Sequence, residues 1–138
     1  NLNEINPDCD IKLEGYGALM GEINSLIGIK QLGDLDSLLK KQRVNALIWD
    51  EKIQKEINIE SLIPVEKSIP NRWVYGVLAK NKIETIKDYR KKGLYATSVH
   101  INNNLYSIFD NKTNLSGVNE FINHFVALPC GWWFNLEK

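Results

Sequence analysis

The chain has 138 residues with 17 basic and 17 acidic side chains, so its formal net charge at pH 7 is zero. A zero balance creates no overall field toward nucleic acid or acidic membranes, and we expect neither as a partner. No apolar run approaches the ~20 residues that a membrane-spanning helix needs, and the length predicts one domain over residues 1–138.

The cysteines and histidines predict neither a disulfide framework nor a metal site. Cys9 and Cys130 lie near opposite ends of the chain, and neither His100 nor His124 has a second histidine or a cysteine at ligand spacing. Reduced thiols and the lack of a signal peptide predict a cytoplasmic protein. Because the first residue is Asn1 rather than methionine, we expect that a longer chain was cut or processed here.

The first part of the chain predicts two helices. Helical spacing of apolar residues begins at Met20, and Gly28 inside this run predicts close packing by another element. Asp34 is a predicted N-cap, because its carboxylate can accept hydrogen bonds from the free amides at the start of the second helix. One stripe of that helix is expected to be buried: Leu35, Leu38, Leu39, Gln42, Ala46, Trp49 and Ile53.

The remainder predicts a small sheet with further helices. Prolines make residues 59–65 a connector, and β-branched and aromatic residues predict a strand over 73–78. The following predictions are a helix over 82–92 that stops at Gly93, a strand over 94–101, a polar loop over 102–113, a helix over 118–125 and a strand over 126–129. We therefore predict an α/β (α+β) fold, in which two N-terminal helices precede a small sheet that helices cover on one face.

Sequence patterns typical of catalytic sites are missing, and we predict no catalytic residue. There is no glycine-rich phosphate loop, no nucleophile elbow and no glycosidase-like carboxylate pair. The unusual segment runs from His100 through Asn102, Asn103 and Asn104. Its amides offer hydrogen-bond donors and acceptors, and a histidine can transfer a proton. The competing interpretation is a structural turn, since asparagine adopts left-handed backbone and caps its own loop.

A second unusual segment is Pro129-Cys130-Gly131-Trp132-Trp133-Phe134. Three consecutive aromatic residues are too much apolar surface to leave in water. Either they fold back on the small layer, or they contact a domain or subunit outside this chain. The sequence leaves both interpretations open.

Five segments, in this order, are similar to one known family: Gly15-Tyr16-Gly17-Ala18-Leu19-Met20, Leu35-Asp36 with Lys41-Gln42-Arg43, Asn71-Arg72-Trp73-Val74-Tyr75, Val99-His100-Ile101-Asn102-Asn103, and Leu128-Pro129-Cys130-Gly131-Trp132-Trp133. Together they resemble the C-terminal part of the DegT/DnrJ/EryC/StrS family of sugar aminotransferases. The first segment is similar to that family's Gly-Tyr-Asn-x-Arg-Met segment, and the third to the strand that opens its small domain.

The resemblance implies the small domain of a fold-type-I enzyme that uses pyridoxal phosphate (PLP). The Schiff-base lysine and the aspartate that pairs with the pyridine nitrogen would lie upstream, so this chain alone is expected to be inactive and to bind no PLP. The resemblance further implies a homodimer that acts on a nucleotide-linked keto sugar. It assigns Tyr16 as a cofactor-binding residue, and His100 and Asn102 as substrate-binding residues.

Two residues depart from the family pattern. Gly17 stands where the family's asparagine reaches the cofactor phosphate across the dimer interface, and Leu19 stands where it has an arginine. Neither can bind phosphate through its side chain, which suggests a divergent or inactive parent. The alternatives are a stand-alone, non-catalytic binding or interaction domain derived from the small domain, and an α/β domain whose resemblance is accidental.

Overall fold

The computed structural model describes residues 8–17, 19–110 and 113–136 of the chain. The elements in chain order are α1 (Glu22–Leu32), α2 (Leu35–Ile53), β1 (Ile59–Ser61), β2 (Val74–Ala79), α3 (Lys82–Lys91), two short 3₁₀ turns (Asn103–Leu105 and Ser107–Phe109), α4 (Ser116–His124) and β3 (Phe125–Pro129). The predicted α+β class is confirmed.

The three strands form an antiparallel sheet in the order β1-β2-β3. The central strand β2 pairs with both neighbours, so that Ile59 lies opposite Ala79 and Val77 lies opposite Val126. Since side chains alternate along a strand, Tyr75 and Val77 point to one face of β2 and Gly76 points to the other.

The core lies between one face of the sheet and the helices α2 and α3. The Trp49 ring of α2 stacks on Tyr75 with 6.0 Å between ring centroids, and it meets Tyr89 of α3 edge-on at 5.7 Å. Each aromatic pair contributes about 0.5–1.5 kcal/mol beyond the apolar area that it buries. The Trp49 indole N–H also donates to the carbonyl of Pro129 at 2.8 Å, which fixes α2 to the end of β3.

The opposite face of the sheet is covered by different elements. Phe125 of β3 lies on this face, and its ring stacks on Phe121 of α4 with 4.9 Å between centroids. A Cβ on Gly76 would come within 2.7 Å of the Leu62 side chain, which follows β1. Helices α2 and α3 therefore cover one face of the sheet, as predicted. Helix α4 packs on the other face through Phe121, which was not predicted.

The predicted strand over 94–101 is wrong. In this segment only Thr97 is paired with the sheet, in an isolated bridge to Ala127. The His100 N–H donates to the Ser98 carbonyl at 2.6 Å, and this closes a three-residue turn that an extended strand cannot contain. The predicted connector over 59–65 instead begins with β1, and Pro64 lies beyond the paired residues, where it removes no ladder donor.

The two N-terminal helices form where they were predicted, with differences in detail. The Asp34 side chain caps nothing; its backbone is already helical, and its carbonyl accepts a hydrogen bond from the Ser37 hydroxyl at 2.8 Å. Around Gly28, no heavy atom of another described element lies within 4 Å of a Cβ placed there, so the predicted close packing is not seen. In the predicted stripe of α2, the residues from Gln42 onward are buried, Leu38 and Leu39 are half-buried and Leu35 is exposed.

Candidate functional site

The predicted substrate-binding residues line a shallow depression of about 340 Å³ on the surface. The loop after Val99 forms one wall and α4, with the residue preceding it, forms the other: His100, Ile101, Asn102, Asn103, Asn104, Leu115, Val118 and Ile122. The structure thus brings His100 and Asn102 together. It does not bring Tyr16 to this depression.

The backbone just before His100 is strained. Val99 has φ +56°, in the left-handed region that β-branched residues rarely adopt. Such a conformation costs on the order of 1–3 kcal/mol and persists only where the surroundings impose it. Here the Val99 N–H donates to the Thr97 hydroxyl oxygen at 3.3 Å. Strain of this kind is typical of binding and active sites, and no signal in the sequence predicts it.

A network of asparagine amides connects the loop to α4. The Asn102 side-chain amide donates to the Asn119 carbonyl oxygen in α4, and Asn119 in turn donates to Asn114 at 3.0 Å. The Asn104 amide donates to the Thr113 carbonyl at 3.3 Å. The side-chain oxygens of Asn102 and Asn104 are buried and accept no hydrogen bond within the described part of the chain. A buried acceptor without a donor costs about 1–3 kcal/mol, so both oxygens have acceptor capacity left for a donor outside the described residues.

The loop is also held from its far side, by a contact that the sequence does not predict. The carboxylate of Asp10 accepts hydrogen bonds from the Ser107 amide, at 2.8 Å, and from the Ser107 hydroxyl. These two bonds lower the pKa of Asp10. The Ile108 N–H donates to the Ile11 carbonyl at 3.0 Å, so the lead-in before α1 pairs with the second 3₁₀ turn.

The segment implied to bind the cofactor does not form a pocket in this chain. Tyr16 and Leu19 are each 98% exposed, and a Cβ on Gly17 would meet no heavy atom within 4 Å among the described residues. Ala18 of the same segment lies outside the described residues. These residues alone therefore do not fit the PLP phosphate, which needs converging donors or a positive charge.

One lysine stands apart from the other described lysines. The ammonium group of Lys82, at the start of α3, donates to the Ile122 carbonyl near the end of α4 at 2.6 Å. Burial lowers the pKa of Lys82, because the charged form loses water contacts. This hydrogen bond links α3 to α4. The residues around Lys82 in the sequence do not predict it.

The C-terminal aromatic segment folds back on the core at one residue and stays exposed at two others. Phe134 packs against the core, and the Asn45 amide of α2 donates to the carbonyls of Gly131 at 3.0 Å and Phe134 at 2.9 Å. Trp132 and Trp133 contact each other edge-to-face, yet 45% and 69% of them stay exposed. Phe134 therefore folds back, whereas the two tryptophans are left uncovered.

Helix α1 presents further apolar side chains that the described residues leave uncovered. It has no buried residue, and its large apolar side chains are 50% to 77% exposed: Ile23, Leu26, Ile27, Ile29 and Leu32. Exposed apolar surface of this extent is typical of a contact site. We call α1 together with Trp132 and Trp133 the uncovered surface.

Two further properties concern metal ions and membranes. Across the described ranges, no group of three or more histidine, cysteine, aspartate or glutamate side chains could hold a metal ion. None of the helices described here is both long enough and apolar enough to span a bilayer.

No family model matches the chain. A curated relative, the UDP-4-amino-4,6-dideoxy-N-acetyl-beta-L-altrosamine transaminase of Helicobacter pylori (strain ATCC 700392 / 26695), is 27% identical over 138 residues. The match covers 94% of this chain and 36% of the relative.

Solved structures of sugar aminotransferases share the fold of this chain. The sugar aminotransferase CalS13 from Micromonospora echinospora superposes with a TM-score of 0.79 at 24% identity, covering 89% of this chain and 34% of that one. The Helicobacter pylori aminotransferase PseC, involved in the biosynthesis of pseudoaminic acid, has a TM-score of 0.72 at 25% identity, covering 93% and 37%.

The fold is therefore that of a portion of a sugar aminotransferase, and the predicted resemblance to this class of enzymes is confirmed. The chain spans about a third of the length of the relatives that it matches. None of these comparisons names the DegT/DnrJ/EryC/StrS family, so membership of it stays a prediction.

Proposed function

We propose that this chain is the C-terminal part of a PLP-dependent aminotransferase that acts on a nucleotide-linked keto sugar. The observation that carries the proposal is the match of 94% of this chain to 36% of a UDP-sugar transaminase. In this proposal the chain forms a single small domain of a fold-type-I enzyme in the cytoplasm. It supplies part of the substrate pocket and of a homodimer interface, and the Schiff-base lysine belongs to the rest of the enzyme.

The depression beside α4 is the proposed substrate pocket. His100 is exposed at its rim, and the buried side-chain oxygens of Asn102 and Asn104 lack donors within the described chain. Hydroxyl and amide groups of a sugar can donate to such oxygens, and an imidazole can donate to or accept from the same ligand. His100 and Asn102 are thus the proposed substrate-binding residues.

The cofactor is proposed for the complete enzyme and not for this chain alone. PLP would supply the electron sink that moves an amino group from a donor amino acid to the keto sugar. Tyr16 is the one residue of its segment that we propose near the cofactor, and its 98% exposure leaves its hydroxyl free to meet groups outside this chain. Gly17 and Leu19 supply no side-chain contact to a phosphate.

The uncovered surface is the proposed interface. Its apolar side chains on α1 and its two exposed tryptophans would be covered by the large domain or by the second subunit. The alternative function is a stand-alone, non-catalytic binding or interaction domain. The continuous core around Trp49 and Tyr75, which are 1% and 0% exposed, favours this alternative because it is closed without any other domain.

The reading frame separates the two functions. An in-frame large domain upstream that contains a Schiff-base lysine supports the aminotransferase. An initiator methionine immediately before Asn1 supports the stand-alone domain.

Incubation with PLP tests the chain itself. After borohydride reduction, we expect no PLP adduct at a single defined lysine, because in this proposal the Schiff-base lysine belongs to the rest of the enzyme. The measurement is peptide mass spectrometry. Lys82 is the position to compare, since burial lowers its pKa and a neutral amine reacts with aldehydes. Lys82→Arg is the matched control. A stoichiometric adduct at one lysine that disappears when that lysine is replaced would contradict the proposal that the Schiff-base lysine lies outside this chain.

A further inference from the structure

Thr97 occupies a fixed position immediately before the candidate substrate site. Its backbone N–H and carbonyl exchange two hydrogen bonds with Ala127 of β3, at 3.0 and 2.8 Å. The residue is 9% exposed. It is therefore attached to the sheet, unlike the loop residues that follow it.

The segment is also fixed from α3. The Arg90 guanidinium donates through Nε to the Ala96 carbonyl at 2.8 Å and lies over the Tyr95 ring at 5.0 Å from its centroid. These contacts hold the two residues that precede Thr97. Because Thr97 and the two residues before it are fixed, the Thr97 side chain is placed to determine the direction in which the next residues leave the sheet.

The side chain of Thr97 makes the connection to the strained residue. Its hydroxyl oxygen accepts the Val99 N–H at 3.3 Å, and Val99 has φ +56°. The His100 N–H then closes the turn on Ser98 at 2.6 Å. These two hydrogen bonds together hold Val99 in a region that a β-branched residue otherwise avoids.

We infer that Thr97 is the positioning residue of the candidate substrate site. Its hydroxyl holds Val99 in the left-handed conformation and thereby sets the imidazole of His100 at the rim of the depression. The role in binding rests on the proposed function of His100. The role in backbone geometry stands on the hydrogen bonds alone.

The experiment compares Thr97→Val with Thr97→Ser on the full chain. Valine keeps the shape but removes the acceptor, and serine keeps the hydroxyl. By NMR, Thr97→Val is expected to lose the strong intraresidue amide-to-Hα NOE of Val99 that marks positive φ. Its Val99 amide is expected to exchange about five- to tenfold faster, the effect of one lost hydrogen bond. Thr97→Ser is expected to retain both signatures, and Thr85→Val in α3 is a matched control that should leave Val99 unchanged.

Titration with UDP-N-acetylglucosamine provides the second measurement. The His100 amide and ring signals are expected to shift in the wild-type and Thr97→Ser chains, and about threefold less in Thr97→Val, in line with one lost hydrogen bond. If Thr97→Val does not fold, Thr97→Ala replaces it in both measurements. A left-handed Val99 with unchanged exchange in the chain that lacks the hydroxyl overturns the inference. If Val99 relaxes as expected while no chain responds to the nucleotide sugar, the geometry is supported and the proposed function of His100 fails.

Discussion

Gly76 shows how tightly the second face of the sheet is packed. A Cβ at this position would lie 2.7 Å from Leu62 Cδ1 and 2.9 Å from Phe125 Cε2. Gly76→Ala is therefore expected to lower the free energy of unfolding by about 1–3 kcal/mol, because two packed side chains must move. Urea denaturation followed by tryptophan fluorescence measures this change.

Gly28 is the matched control for Gly76. It lies in α1, and a Cβ there meets nothing within 4 Å in the described chain. Gly28→Ala is expected to leave stability unchanged or to raise it by up to about 1 kcal/mol, because alanine favours helix. Equal urea midpoints for the two variants would show that Gly76 is not closely packed.

At the same scale, His100 and Asn102 both line the depression; their role in substrate binding stays a prediction, and the sequence did not show how they are held. His100 and Asn102 were identified from residue type and from the resemblance. The left-handed Val99 could not be, since a β-branched residue is among the least expected in that conformation. The Asp34 cap failed for a related reason: a capping residue type permits a cap, but the local backbone decides whether the side chain reaches the amides.

Among the elements, the helices α1 to α4 and the strands β2 and β3 were predicted, whereas the short strand β1 was not, and residues 94–101 were wrongly predicted as a strand. The helix α3 ends as predicted at Gly93, which has φ +80°, and the next amide, of Leu94, bonds back to Tyr89 at 2.9 Å. The strand β1 has only three residues and exists through its pairing with β2. Residues 94–101 have strand-like composition, yet hydrogen bonds within the segment fold them into turns. Pairing is a tertiary property that composition does not encode.

Helix α1 is the element whose apolar side chains lack cover, and it leads to a prediction about association. We expect the chain to self-associate, because burial of these side chains removes apolar surface from water. Replacing both Ile23 and Ile27 with glutamine is expected to weaken association by about tenfold or more. Sedimentation velocity over a range of concentrations measures the effect. The two positions lie one helical turn apart and are 77% and 50% exposed.

The control for association is an apolar residue outside the uncovered surface. Ile63 is 91% exposed and follows β1, so Ile63→Gln should leave association unchanged. A strictly monomeric wild-type chain that binds little apolar dye would show that the uncovered surface has no tendency to pair.

The whole molecule combines a closed core with an open surface. Trp49, Tyr75 and Tyr89 fill the space between α2, α3 and the sheet, which accounts for a folded unit of this size. The uncovered surface lies outside that core and does not contribute to its packing. A unit that folds around its own core and leaves apolar side chains exposed is the arrangement expected of a domain that packs against another surface.

Three ionisable groups in the buried core lead us to predict that stability falls at alkaline pH. Burial raises the pKa of Tyr75 to about 12, that of Tyr89 to about 12 and that of the Cys130 thiol to about 11. The hydrogen bond that Tyr75 donates to Asp50 acts in the same direction. In the unfolded chain these groups release their protons near pH 10, 10 and 9. Folding therefore favours the protonated forms.

The sign of the pH dependence follows from this difference. Below about pH 9 the folded and the unfolded chain both keep these protons, and the three groups make their full contribution to stability. From pH 9 to 12 the unfolded chain releases the protons before the folded chain does, so the free energy of unfolding falls. Lys82 opposes this decline, because burial lowers its pKa. We expect the urea midpoint to fall steadily from pH 9 to 11. Tyr75→Phe keeps the ring but removes the ionisable hydroxyl. Its midpoint at pH 9 should be lower, because the hydrogen bond to Asp50 is lost. Its midpoint should then fall less steeply, because one ionisable group is gone. A wild-type midpoint that stays constant over this interval would mean that the three groups are not held protonated by the fold.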